Sequence, residues 1–392
     1  MRSLDGVRVV ALEHAIAAPF CTRQLADLGA RVIKIERPGT GDFARTYDER
    51  VRGLSSHFVW CNRSKQSLAL DLKHREAGPI LHGLLERADV LVQNLAPGAA
   101  QRLGLGHESL EGRYPRLIVC DISGYGADGP YRDRKAYDLL IQGESGFLST
   151  TGSQDAPAKA GTSIADIAGG MYAFSSILAA LIRRGRTGSG CRIDVSLLEC
   201  MAEWMSFPLY YSFDGAEPPP RSGTAHATIY PYGAFAIGNG ASVMLAVQNQ
   251  REWASFCTVV LHLPQLASDE RFVSNSKRSA NRDALKTLIE EAFADLTPAE
   301  IARRLEQAGI ASGEMKAMHQ VWDHPQLRAR DRWTGIESPA GRIPALFPPG
   351  QSRDSNPCMG AVPALGEHTD LILSELGYDA AAIARLRAEA VV

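Results

Sequence analysis

The chain reads as an α/β protein with a large doubly wound domain around a mostly parallel sheet and a second, smaller lobe. Three observations predict this. Short β-branched runs alternate with helical patterns through the first third of the chain, and a proline-rich stretch interrupts it just past the middle. With 392 residues and 45% hydrophobic content, the chain can bury one large core and a smaller one.

Residues 7–12 form the first expected strand, residues 20–28 a helix ended near Gly29, and residues 31–35 the next strand. Segments 67–72, 76–88, 90–93 and 117–122 continue the alternation of strand and helix. Ligands on such sheets sit at the carboxyl ends of the strands, which directs attention to segments 14–19, 36–41, 94–98 and 123–130, all rich in Gly, Pro or polar residues. Residues 163–184 read as a long, nearly all-apolar helix buried on several sides, with Gly169, Gly170 and Ala173 allowing another backbone to approach. Residues 214–223, DGAEPPPRSG, read as a linker. Beyond it, segments 232–237 and 243–247 flank Gly238-Asn239-Gly240 as a hairpin, and Thr297-Pro298-Ala299-Glu300 opens a helix as a capping box with Pro in the first turn. Residues 347–363 look irregular, and segments 370–376 and 379–390 close the chain as helices.

Charge narrows the function. The net charge is −2 and no block of like charge appears, which argues against nucleic acid or a membrane surface as partner and favours small-molecule chemistry. The apolar start is broken by Glu13 and His14, so it reads as a strand and not as a signal peptide, and no apolar run approaches membrane-spanning length. Seven scattered cysteines without C-x-x-C spacing argue against zinc or a disulfide framework, so the expected setting is reducing and cytoplasmic.

Several chemistries fail on their motifs. Where a dinucleotide fingerprint belongs, the chain has Ala15-Ile16-Ala17-Ala18-Pro19-Phe20, without the glycines that let a backbone approach a pyrophosphate. The phosphate loop G-x-x-x-x-G-K-[ST], the nucleophile elbow G-x-S-x-G and the metal motif H-E-x-x-H are all missing. What the strand-end loops offer is Arg37, Lys73, Asn94, Arg102, and Lys135 beside Tyr137. Separate cations converging on one crevice suit a ligand with several spaced phosphates, such as coenzyme A. One further residue stands out: Asp166 is alone in a long run of small and apolar residues, where an acid serves as a helix cap, a hydrogen-bonded core acid or a reactive group.

Motifs along nearly the whole chain occur together in one known family. They include Ala26-Asp27-Leu28-Gly29-Ala30, Lys34-Ile35-Glu36-Arg37-Pro38, Asn62-Arg63-Ser64-Lys65, Leu70-Asp71-Leu72-Lys73, Gly124-Tyr125-Gly126, Tyr137-Asp138, the segment around Asp166, Tyr230-Pro231-Tyr232-Gly233, His324-Pro325-Gln326 and Leu365-Gly366-Glu367-His368-Thr369. In this order they resemble the class III CoA-transferases, the group of formyl-CoA transferase and carnitine CoA-transferase. The resemblance implies a Rossmann-like large domain (residues 1–213 and 328–392), a linker (214–223), a small α+β domain (224–327) and an interlocked, ring-shaped homodimer.

It also implies roles. Asp166 falls on the family's catalytic aspartate, and His14, Ala15, Ala17, Arg37, Lys73, Asn94, Arg102 and Lys135 fall on CoA contacts. Tyr137 matches an active-site tyrosine. Gly238 and Gly240 stand where a glycine-rich loop serves as lid or oxyanion holder. Ile16 replaces a glutamine of formyl-CoA transferase, which removes a polar contact to a very small acid and argues against oxalate or formate. The run 42–58 is similar to that of relatives handling C4 and C5 dicarboxylates, whose second carboxylate Arg45, Arg52 or His57 would meet.

The reading is a CoA-transferase taking CoA from succinyl-CoA to itaconate, mesaconate or citramalate through aspartyl anhydride and aspartyl-CoA thioester intermediates. Acyl-CoA is then a substrate, with no tightly bound cofactor and no metal. An ordinary aspartate, with a pKa of about 3.9, is ionised at neutral pH and needs no activating base. Alternative acceptors are carnitine-like or aromatic acids. An acyl-CoA racemase of the same fold and a non-catalytic acyl-CoA-binding protein are the rival classes.

Overall fold

A computed structural model describes every residue except Asn239, Ser352 and Arg353, so the turn expected at Gly238-Asn239-Gly240 lies partly outside the described residues. Six parallel strands make the main sheet: β1 (Arg8–Leu12), β2 (Arg31–Glu36), β3 (Lys65–Ala69), β4 (Val90–Gln93), β5 (Ile118–Ser123) and β6 (Cys191–Ser196). Their order is β3-β2-β1-β4-β5-β6. The order reverses between β1 and β4, and a doubly wound sheet opens its crevice at that point. β1 is apolar toward both faces and β2 toward one, its other face carrying buried Lys34 and Glu36; Val9, Val10, Leu12, Val32 and Ile35 are buried, as in central strands covered by helices.

By internal packing the chain forms two compact units, one of Met1–Gly146, Ala160–Met205 and Pro325–Val392, the other of Phe147–Lys159 and Ser206–His324. In the first unit, α1 (Ala17–Asp27), α2 (Ser56–Asn62), α3 (Ala77–Leu85), α4 (Asp138–Glu144), α5 (Ile164–Thr187) and α6 (Leu197–Trp204) accompany the sheet. In the second, strands β7 (Tyr232–Ala236), β8 (Ser242–Ala246) and β9 (Ala311–Gly313) form an antiparallel sheet. Helices α7 (Gln250–Ser255), α8 (Arg282–Phe293) and α9 (Pro298–Ala308) share its core of Trp253, Phe256, Phe272, Ile289 and Leu305. Thr297 caps α9, accepting from the Glu300 N–H at 3.2 Å. The chain then re-enters the first unit. After the hairpin β10 (Trp333–Ile336) and β11 (Ile343–Leu346), helices α10 (Thr369–Glu375) and α11 (Ala380–Ala388) put Ile372, Leu373, Ile383 and Leu386 into the core that holds Val10 and Leu12.

α5 departs from its sequence-based reading. Its buried residues are Ala165, Ala168, Gly169, Gly170, Ala173, Ile177 and Ala180, a single stripe, while Ile182 is 62% exposed. The stripe is small because its neighbours are close: a Cβ on Gly170 would lie 2.7 Å from the Ala17 carbonyl oxygen and one on Gly169 would lie 2.2 Å from a Leu197 methyl. At 24 residues and a mean hydropathy of 1.5 in its most apolar window, α5 is also long and apolar enough to cross a membrane, contrary to the expectation that no segment is. Its packing against α1 and α6 accounts for that composition within this fold.

Beneath the end of β1 lies a buried charge network. Lys65 Nζ donates to Glu13 Oε1 (2.6 Å), to Asn62 Oδ1 (3.0 Å) and to the Pro19 carbonyl (3.0 Å). Lys34 Nζ lies 2.8 Å from Asp42 Oδ2 and 3.4 Å from Glu13 Oε1, and Thr22 donates to the second oxygen of Glu13 at 2.6 Å. The side chains of Glu13, Lys34, Asp42 and Lys65 have no exposure. Burial opposes ionisation of Glu13, but Lys65 and Lys34 outweigh it and hold the carboxyl below its usual range. Glu13→Gln removes from Lys65 the carboxylate that it grips and from Lys34 one of its acids, with Asp42 and Glu36 remaining. Removing one partner of a buried pair costs about 3–5 kcal/mol, so a loss of that size in denaturant unfolding is the expected result.

Candidate active site

The loop after β1 is held from two sides. Asn94, just past β4, accepts from the His14 N–H and donates to the His14 carbonyl, both at 2.9 Å, which ties together the two strands at the reversal of the sheet. Ala15 then adopts φ +60, a left-handed conformation that costs a residue with a Cβ about 1–2 kcal/mol. Its N–H donates to Asp42 Oδ1 at 3.1 Å, and Asp42 is fixed in turn by Lys34. Ile16 and Ala17 are 3% exposed and lead into α1.

α5 starts against this loop, because Gly170, one turn beyond Asp166, abuts Ala17. Asp166 occupies the first turn of α5, yet it is not the cap. That role falls to Asp138 at the start of α4, whose Oδ1 accepts from the N–H groups of Ala165 (2.8 Å) and Asp166 (3.4 Å). Gln142 donates to Asp138 Oδ2 at 2.6 Å and uses its own oxygen to accept from Ala160 N–H at 2.9 Å. The Asp166 carboxylate itself has no hydrogen bond or ion pair among the described residues. Burial, and after it the Asp138 charge, push its carboxyl up to about 7. The simple expectation of an ordinary, fully ionised aspartate is thereby corrected: near neutrality about half of this group carries a proton.

A row of rings runs beside it. His14 stacks on Phe43 with centroids 5.3 Å apart, Phe43 meets Tyr47 at 5.8 Å, and Tyr47 meets His57 edge-on at 5.4 Å. Burial, then the charges of Asp42 and Asp166 and the neighbouring Tyr137, push the Tyr47 phenol up to about 12, so it stays a proton donor. Burial lowers the affinity of His14 for a proton, although Asp42 opposes it, so the imidazole is neutral at pH 7. Its Nδ1 is buried without a hydrogen-bond partner, 3.9 Å from Asp42 Oδ1.

The cations predicted from sequence fall into two groups. Arg37, Lys73, Arg102 and Lys135 are exposed and lie in the segments that follow β2, β3, β4 and β5. From β3 to β5 this is four strand spacings, about 19 Å. Arg37 is close enough for its charge to act on His14. Arg45, by contrast, is locked: Nε and Nη2 grip Glu36 at 2.8 and 2.7 Å, Nη1 reaches the Pro363 carbonyl at 3.3 Å, and the guanidinium lies 3.7 Å over the Phe58 ring. His57 faces Asp48 at 3.3 Å. Arg52 is exposed and donates once, to the Arg342 carbonyl at 3.3 Å. Tyr137 is 66% exposed at the start of α4. Gly238 and Gly240 belong to the β7–β8 hairpin of the second unit, where a Cβ on Gly238 would overlap the Ala294 carbonyl and Gly240 has φ +80.

An unpaired, half-protonated carboxylate beside a cation-lined strand edge suits acyl chemistry on a phosphate-bearing thioester, and the sequence matches the model of CoA-transferase family III over residues 4–369. The chain belongs to this family. It is 35% identical to human succinyl-CoA:glutarate CoA-transferase, covering 100% of this chain and 90% of that protein. It is 32% identical to succinyl-CoA:mesaconate CoA-transferase of Haloarcula hispanica, covering 96% and 97%. A solved CaiB/BaiF family protein from Brucella suis superposes with a TM-score of 0.83 at 35% identity, covering 96% of this chain and 99% of that one.

In this CoA-transferase, sequence reasoning passed over Asp138, Asp42, Phe43 and Tyr47. Asp138 directly follows Tyr137, the residue that the family resemblance singles out. Reading Asp166 as an α5 residue leaves the helix start without an acceptor side chain of its own, and that deficit was the available signal for a second acid.

Two outcomes follow from the raised carboxyl of Asp166. With only the ionised form nucleophilic, kcat/KM is expected to fall tenfold per pH unit below about 7 and to level above it, and Asp138→Asn is expected to move that break to lower pH. The unfolded chain ionises the same group near 3.9, so the folded form loses stability as pH rises from about 4 to about 7 and nothing further above. Asp166→Asn is therefore expected to raise stability at pH 8 by about 2–4 kcal/mol, read by denaturant unfolding.

Proposed function

We propose that this CoA-transferase takes CoA from succinyl-CoA to a C5 dicarboxylic acid, with Asp166 as covalent acyl carrier. Asp166 attacks the thioester carbonyl, the C–S bond breaks, and CoA leaves as thiolate from a succinyl-aspartyl anhydride. The thiolate then attacks the aspartyl carbonyl, which expels succinate and leaves an aspartyl-CoA thioester. The acceptor carboxylate attacks that thioester to give a second anhydride and free thiolate. Attack of the thiolate on the acceptor's acyl carbon releases the new CoA ester and restores Asp166. No net proton is exchanged, which fits a site whose nucleophile lacks a basic partner.

The observation that carries this reading is the unpartnered Asp166 carboxylate at the start of α5, against the loop after β1. A desolvated carboxylate is a stronger nucleophile than a hydrated one. Arg37, Lys73, Arg102 and Lys135 supply the spaced charges that CoA needs, His14, Ala15 and Ala17 line its path, and Asn94 acts by holding the His14 backbone. Tyr47 and Tyr137 flank the acyl group beside Ile16. Assembly as an interlocked homodimer and a cytoplasmic location belong to the same reading. Glutarate and mesaconate, named for two relatives, are the first acceptors to try, with itaconate and citramalate next.

Incubating the protein with succinyl-CoA and a panel of acids should yield new CoA esters, and hydroxylamine should convert Asp166 to its hydroxamate. Asp166→Ala is expected to lose at least about 10³-fold in kcat. Absence of any acceptor and of any adduct refutes the transferase step, and exchange of an α-hydrogen with solvent instead of transfer would point to a racemase. Of the three side chains considered for the second carboxylate, Arg52 is exposed and has one guanidinium donor engaged among the described residues, whereas Arg45 is locked by Glu36 and Pro363 and His57 faces Asp48. Arg52→Gln is expected to raise KM for a dicarboxylate about tenfold with kcat little changed, whereas Arg45→Gln should lower stability.

A further inference from the structure

At the edge of the main sheet opposite Asp166, a cavity of about 310 Å³ opens at the starts of β1 and β2. It reaches inward as far as Val10 and Ile33, and the rest of β1 lies between it and the loop that carries His14. Its walls are apolar, with Leu84 from α3 and Ile372 from α10 among them, and its polar groups are Arg8, Arg31, Arg87 and Glu375. Three guanidinium groups against one carboxylate leave a formal charge of +2 in the lining.

The acids nearby do not neutralise that excess. Glu375 pairs with Arg31 Nη1 at 2.7 Å, and Arg31 Nε donates to Gln66 at 2.8 Å. Arg31 Nη2 is buried with no hydrogen-bond partner. Arg87 gives one N–H to the Glu375 carbonyl at the end of α10 (2.7 Å), and its other donors are unengaged among the described residues. The Arg8 guanidinium has no hydrogen bond or ion pair among them. Asp89, beside Arg8 in the fold, is taken up by Arg184 at 2.7 Å and by the Arg8 backbone N–H at 2.8 Å. A volume of this size, about ten waters, is at the lower limit for a small-molecule site. Planar guanidinium groups match carboxylate and phosphate oxygens in pairs.

We propose that this cavity is a second ligand site of the chain, taking a small dianion with a short apolar body, held by Arg8, Arg31 and Arg87 with its body against Leu84 and Ile372. The dianion is either a short dicarboxylate or a compact phosphate. Calorimetric titration of the full-length protein, its active site saturated with CoA, separates the two sources by using succinate and inorganic phosphate as probes. Saturable binding of one probe is expected, weakened at least tenfold in the double variant Arg8→Gln, Arg87→Gln. Transfer activity of that variant without the probe should stay within twofold of the starting protein. Binding of neither probe, or equal affinity in the variant, overturns the proposal. If the double variant does not fold, Ala88→Leu, which narrows the cavity without changing its charge, is held to the same criteria.

Discussion

The site depends on the buried pairing of Glu13 and Asp42 with Lys34 and Lys65. Each of these four side chains lies where an isolated ion would cost several kcal/mol, so none is tolerable without the others. The network joins β1, β2, β3 and the start of α1, because Lys65 also reaches the Pro19 carbonyl and Asn62. Asp42 extends it upward by accepting from Ala15 and Ala44 N–H groups, and Glu36 extends it sideways by binding the Asp42 N–H, Arg45 and Ser67. Replacing a buried ion pair by hydrophobic residues of similar volume is often neutral or stabilising. What they could not give is the fixed set of acceptors that holds Ala15 in a left-handed conformation and aims the loop after β1 at α5.

At Asp166 three effects compete. A helix start favours a negative charge, by roughly 0.3–1 kcal/mol in an exposed setting. Burial acts against the charge and is the larger effect, and the neighbouring charge of Asp138 adds to it. Asp138 also removes part of the first effect, since it occupies the two N–H groups that Asp166 would otherwise face. The same residue therefore starts the helix and keeps the Asp166 carboxylate from being stabilised by it. A carboxylate satisfied by backbone donors would have been a better structural cap and a poorer nucleophile.

Much of the large unit was legible because its signals are local. β1 and β4 carry continuous apolar runs, β2 and β5 carry apolar runs broken by Lys34 and Asp121, and the capping box at Thr297 is a four-residue pattern. β6 escaped notice because Cys191-Arg192-Ile193-Asp194 is polar and only half-buried, as an edge strand can be, with Arg192 turned toward Asp121. The composition of α5 points to burial on several sides because composition does not record direction: Gly169 and Gly170 define one tight face, and Ile182 lies outside the packed stripe. The site divides in the same way. Asp166 stood out as one acid among apolar neighbours, but its relation to Asp138 spans 28 residues and exists only once α4 packs against α5.

Arg45 shows why a cation near a substrate loop is weak evidence from sequence. Its partners lie nine residues back at Glu36 and 318 residues onward at Pro363, and the second is brought in only when the C-terminal segment returns to the first unit. A guanidinium held by a bidentate carboxylate, a carbonyl and an aromatic face has few donors left for a ligand, and to recruit it a substrate would have to displace Glu36, leaving that buried acid unpaired. Arg37, Lys73, Arg102 and Lys135 are in the opposite condition, exposed and following strands that share one edge. The difference lies in what each charge already holds: Arg45 is committed to Glu36 and Pro363, whereas these four side chains are exposed.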